Sequence, residues 1–141
     1  MKRFPTCEKI CHDRILSIQE NKSKIIFENP QSLEICCLQV DNCAIKEGPR
    51  CDYAMTVEHI VDEFYIELKG QDIRHAFQQL EATIKQISSD VKKCPKICFI
   101  ISTRVPLTGP EIQVASKQFK SKFNAKLEIK NLKHTCCLKQ A

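Results

Sequence analysis

Apolar positions recur along this chain with two different periods. Leu33 to Val40, Cys51 to Val57 and Phe64 to Lys69 are short runs rich in β-branched, aromatic and cysteine residues, bounded by turn formers, and they read as three strands. Asp41-Asn42 and Glu47-Gly48-Pro49 mark turns, and Glu58 to Glu63 is the link expected between the second and third strands. After Gly70-Gln71 the spacing changes. Ile73, Phe77, Leu80, Ile84 and Ile87 follow at intervals of four, three, four and three, the stripe of an amphipathic helix, with Asp72 placed to cap its first turn. Ile97 to Ile101 is continuously apolar, as in a strand covered on both faces. A second helix is expected over 111–123, with Ile112, Ala115, Phe119 and Phe123 inward and Lys117 and Lys120 outward. Lys126 to Asn131 alternates and reads as a last strand. At the N-terminal side, Cys7, Cys11, Ile15 and Ile18 predict a helix over 5–20 with Thr6 as its cap, and Lys24–Phe27 predicts a short strand. The predicted class is α/β: a mixed sheet that starts antiparallel and continues through a right-handed crossover.

Length and composition narrow the picture. A chain of 141 residues with 43% hydrophobic content suits one domain, 1–141, with its core at about 33–131 and a basic tail, 132–141, expected to be partly disordered. No run approaches the ~18 apolar residues of a membrane span, and the first residues lack an apolar signal core. A soluble, cytoplasmic protein is the expectation. The net charge is +5. It is uneven: seven lysines and one acid, Glu128, follow from Lys117 onward. Such a region tracks a phosphate backbone or simply keeps a small protein soluble. Of the ten cysteines none forms a Cys-x-x-Cys knuckle. Without a secretion signal a disulfide framework is disfavoured, and buried thiols acting as small hydrophobes are expected.

One constellation carries chemistry. On a strand, Glu67 and Lys69 share a face with Tyr65, while Phe64, Ile66 and Leu68 occupy the other. A hairpin between 51–57 and 63–69 would bring Asp52 to Glu67. Two carboxylates suit Mg²⁺ or Mn²⁺, and a lysine beside them can orient a water or offset charge on a phosphate. A charged pair at a strand end is equally the pattern of a surface salt bridge, but an apolar strand is an unusual place for idle charges. Asp62 and Glu63 compete for the metal, and Asp52 is preferred because it heads an apolar strand. His75 and Gln79 lie one turn apart on the flank of the first long helix. Gln79 either bonds a metal water or the DNA backbone, or is a solvated flank.

Asp52, fourteen residues, then Glu67-Leu68-Lys69 resembles the signature of the PD-(D/E)xK nuclease superfamily, and His75 to Leu80 resembles the glutamine-bearing helix of its resolvase-like and RecB-like members. The proline of the first motif is absent, with Cys51 in its place. The resemblance implies a restriction-endonuclease-like αβββαβ core, here with an added helix and strand. It implies a metal-dependent nuclease with Asp52, Glu67, Lys69 and Gln79 as catalytic residues. Asp52, Glu67 and the carbonyl of Leu68 would hold Mg²⁺ or Mn²⁺. The implied partner is nucleic acid, with DNA expected, and a homodimer would reach two strands. Iron–sulfur members of this superfamily hold a cluster with cysteines flanking the core, which Cys7, Cys11, Cys136 and Cys137 could imitate. The alternative is a catalytically inactive nucleic-acid-binding or partner protein on the same fold.

Overall fold

The computed structural model of the chain describes residues 1–68, 72–103 and 109–140. Strands β4 (Ile35–Gln39), β5 (Tyr53–Val57) and β6 (Ile60–Leu68) form an antiparallel meander. Helix α1 (Ile73–Ile87) crosses over to β7 (Lys96–Ser102), and α2 (Gly109–Phe123) crosses to β8 (Ala125–Asn131), both strands running parallel to β6. With β1 (Glu8–Cys11) on the other edge, the sheet has six strands in the order β1-β4-β5-β6-β7-β8. A second sheet, β2-β3-β9, joins β2 (Ile15–Glu20), β3 (Ser23–Glu28) and β9 (Lys133–Cys137).

The alternation along β6 explains the layering. Tyr65 points to the helix side with Cys98 and Ile100 of β7, where Leu80, Ile84 and Ile87 of α1 and Phe119 and Phe123 of α2 cover them. Phe64, Ile66 and Leu68 point the other way, with Phe99 and Ile101, against Ile25 and Phe27 of the small sheet. The Phe27 ring meets Phe64 and Phe99 edge-on at 6.0 and 5.8 Å, the geometry aromatic quadrupoles prefer. The main sheet is thus covered on both faces, which is why β7 is apolar throughout.

Several expectations require correction. Residues 5–20 form no α-helix; a short 3-10 turn (Pro5–Cys7) precedes β1 and β2. Leu16 and Ile18 also satisfy a period of two. Pairing with β3, through Leu16↔Phe27 and Ile18↔Ile25, buries Ile18, half-buries Leu16 and supplies the backbone hydrogen bonds. The leading helix of the expected αβββαβ order is therefore replaced by strands. Of the expected disordered tail, 132–141, the described residues 132–140 are ordered: β9 lies parallel to β3, and Leu138 is buried. The link after β5 is only Glu58-His59, with His59 left-handed (φ 63) and Val57 paired to Ile60.

Glu63 consequently lies inside β6 and is buried, not at a solvated edge. It accepts from Ser88 Oγ at 2.6 Å, Tyr65 Oη at 2.9 Å and Ser89 N at 3.0 Å, and meets the Met1 amine at 3.0 Å. Burial alone would raise its pKa, yet these donors hold it below the usual carboxylate value. Cys7 and Cys43 form a disulfide, against the expectation of free thiols, because the 3-10 turn and the loop after β4 bring their Cα atoms to 5.8 Å. With Cys7 so engaged, the cluster-like set Cys7, Cys11, Cys136 and Cys137 loses a member. The other eight cysteines are free thiols. No helix among the described residues is long and apolar enough to cross a membrane.

A candidate acidic site at the end of the central strands

Asp52 precedes β5, and its backbone is held from three directions. Its N–H donates to Ile66 O at 3.1 Å, and its carbonyl accepts from Val40 N and Asp41 N at 3.0 and 3.2 Å. Helix α1 fixes the residues just before it. Thr83 Oγ1 accepts from Cys51 N at 2.9 Å and donates to Gln79 O, while Gln79 Nε2 donates to Arg50 O at 3.1 Å. Threonine inside a helix ordinarily competes with the helix's own bonds. Here its hydroxyl locks the approach to Asp52.

Tyr53 pairs with Ile66, so Asp52 stands opposite Glu67 on the helix side of the sheet, as the sequence period implied for Glu67. Leu68 N donates to Asp52 Oδ2 at 2.7 Å. The two carboxyl groups are within hydrogen-bonding reach of each other, and both are buried, at 8% and 6% exposure. Glu67 Oε1 is buried and meets no hydrogen-bond donor among the described residues. Burial pushes Glu67 up to about 9, with the Asp52 charge adding to it; burial also pushes Asp52 up to about 6 against the opposing bond from Leu68 N. Glu20, at the end of β2, and Asp41 raise both further. Two facing carboxylates in a partly dry site must share a proton or take up a cation.

The cleft above this pair has a volume of about 390 Å³ and includes Arg50, His75 and Gln79 in its lining. Arg50 is turned aside to Asp41 Oδ1 at 2.8 Å. Gln79 borders the cleft while its amide nitrogen is committed to Arg50 O, so it positions the Asp52 segment. His75 is exposed at the rim. Lys69 lies outside the described residues, as do Gly70, Gln71 and Arg104. Glu8, another acid of the N-terminal segment, is spent on Arg3 and Phe4 N, both at 2.7 Å.

Asp52, Glu67, Leu68 and Gln79 are thus brought together. Arg50 and Asp41 join them unannounced by sequence, and Glu20, weighed with Glu8 as an extra acid of the first helix but not assigned that role, lies near enough to act on the pair. Asp41 reads there as a turn former and Arg50 as part of a loop. Glu20 was expected on a helix; it reaches the site because β2 is a strand of the overlying sheet. An orphaned carboxylate oxygen beside a second carboxylate is a donor set that suits a hard divalent cation. Among the described residues, however, no group of three or more His, Cys, Asp or Glu side chains is arranged to hold a metal ion. Compared with family models, curated proteins and solved structures, the chain matches none of them.

Proposed function

We propose that this chain is a metal-dependent nuclease that hydrolyses phosphodiester bonds, with DNA as the substrate. The observation that carries the reading is the pair Asp52 and Glu67. Two buried carboxylates face each other at the floor of a cleft, and Glu67 Oε1 meets no donor among the described residues. The meander β4-β5-β6, the crossover α1 and the parallel β7 follow the βββαβ part of the nuclease core that the motif resembles; this order supports the reading.

Asp52, Glu67 and the carbonyl of Leu68 would hold Mg²⁺ or Mn²⁺. Such an ion, when bound, polarises the scissile phosphate and offsets charge on the leaving oxygen. Lys69 would position the attacking water or take its proton. Gln79 and Thr83, acting through residues 50 and 51, keep Asp52 in register with Glu67. The test is incubation of the protein with single-stranded, duplex, flap and four-way DNA in Mg²⁺ or Mn²⁺. Cleavage that is lost in Lys69→Ala with folding retained supports the proposal. No cleavage of any substrate under either metal overturns it.

The absence of a third ligating side chain among the described residues favours one other reading, a non-catalytic nucleic-acid-binding or partner protein. DNA binding with no metal uptake and no metal-induced rise in Tm would select it.

A further inference from the structure

His75 borders two concavities. One is the cleft over Asp52 and Glu67; the other, of about 790 Å³, is lined by Glu20, Asn21, Lys22, Thr103 and Leu132. The second lies where the small sheet meets the end of β7. Leu132 N donates to Ser102 O at 2.8 Å, and Lys24 N donates to Leu132 O at 2.9 Å. That seam brings three lysines to one end of the small sheet. Lys22 is in the β2–β3 turn, and Lys24 of β3 is the register partner of Lys133 of β9.

Register partners on neighbouring strands project from the same face, and like charges placed so are unfavourable without an anion between them. Lys22 and Lys133 are exposed and Lys24 half-buried. Among the described residues no carboxylate forms an ion pair with any of the three, whereas Lys85, Lys126 and Lys130 each have one. Thr103 Oγ1, in the second concavity, is buried and has no hydrogen-bond partner among the described residues. The acids of this region, Glu20 and Asp72, line the second concavity too, and Glu20 lies close enough to raise the Asp52–Glu67 pair, where a divalent cation would offset it.

We propose that the second concavity and the Lys22–Lys24–Lys133 cluster form the track along which a nucleic-acid phosphodiester backbone leaves the Asp52–Glu67 cleft. The proposal rests on the nuclease reading and names the surface that holds its substrate. It places the contact on the small sheet, not on the lysines of α2.

The experiment is fluorescence anisotropy with labelled single-stranded and duplex DNA, in EDTA to block cleavage, over a series of salt concentrations. Each lost phosphate contact lowers the salt slope by about 0.9 on duplex. The triple variant Lys22→Glu, Lys24→Glu, Lys133→Glu should lower it by nearly 3 and weaken binding at least tenfold. The matched variant Lys92→Glu, Lys117→Glu, Lys122→Glu, with the same charge change, should keep most of the parent slope. Single Lys→Gln variants at 22, 24 and 133 give the same ranking if the triple variant fails to fold. Equal weakening by both triples, or none by the first, while the parent binds DNA, overturns the track and leaves the nuclease reading standing. A parent protein that neither binds nor cuts DNA overturns both.

Discussion

Asp52 and Glu67 face each other across β5 and β6, with the Leu68 amide donating to one carboxylate and Oε1 of the other left without a donor among the described residues. In the absence of a cation this arrangement is a local cost to folding. Glu67→Gln should therefore raise stability in chelator at pH 8 by about 1 kcal/mol or more, since the amide occupies the buried site without the proton that Glu67 must take up there on folding. The same variant should lose any rise in Tm produced by Mn²⁺. Thermal melts of parent and variant, with EDTA and with Mn²⁺, check both halves. A less stable variant in EDTA would contradict the assignment of strain to the pair.

The pH dependence follows with a definite sign. Glu67 is raised from the ordinary 4.5 to about 9, so between those values the folded protein holds a proton that the unfolded chain has released. Stability then falls as pH rises, because the unfolded state binds fewer protons. The contribution of Glu67 is fully present below about pH 4.5 and is lost as pH passes about 9. Asp52, raised to about 6, acts in the same direction over a narrower and lower window. Urea titrations of metal-free protein from pH 6 to 9 should show a declining midpoint, and the decline should shrink in Glu67→Gln. Glu63 opposes this at the acid end: its lowered pKa gives stability above the ordinary carboxylate range that disappears on acidification.

Cys7–Cys43 closes a loop with a sequence separation of 36. Cross-links of this span stabilise by about 2–4 kcal/mol, chiefly through the unfolded chain. Cys7→Ser should lose stability of that order, and a reductant should bring the parent down to the same Tm. Mass spectrometry with and without reduction, beside the melts, tests whether the bond forms.

Lys96 is a buried cation whose role is structural. Its Nζ donates to the carbonyls of Asp90, Val91, Cys94 and Phe123 at 2.6–3.0 Å, tying the loop before β7 to the end of α2. Lys96→Met would fill similar space but leave those carbonyls without a donor. A loss of about 2–3 kcal/mol is expected from unsatisfied buried acceptors, measured by chemical denaturation. The metal binding proposed at Asp52 and Glu67 should not depend on it, since Lys96 stands at the opposite end of its strand from Ile101, the register partner of Leu68.

What could be read from the letters is what short-range periodicity encodes. The stripe from Ile73 to Ile87, the cap at Asp72, the apolar run of β7 and the face shared by Tyr65 and Glu67 depend only on residues a few positions apart. That Asp52 and Glu67 could meet was legible from the two apolar runs, but the register that sets them opposite depends on the two-residue turn and the irregularity between Met55 and Val57. Tertiary structure decided the rest. Cys7, Cys11, Ile15 and Ile18 fit a helix until β3 offers Leu16 and Ile18 a partner strand, and local propensity yields to that burial. Residues 133–137 become a strand only because β3 presents an open edge more than a hundred positions earlier in the chain. The approach of Glu20 to the acidic pair, the clamp of Thr83 on Cys51 and the alignment of Lys24 with Lys133 are all long-range. Each joins elements whose sequence separation carries no trace of their distance in space, so only the packing of the two sheets and α1 could bring them together.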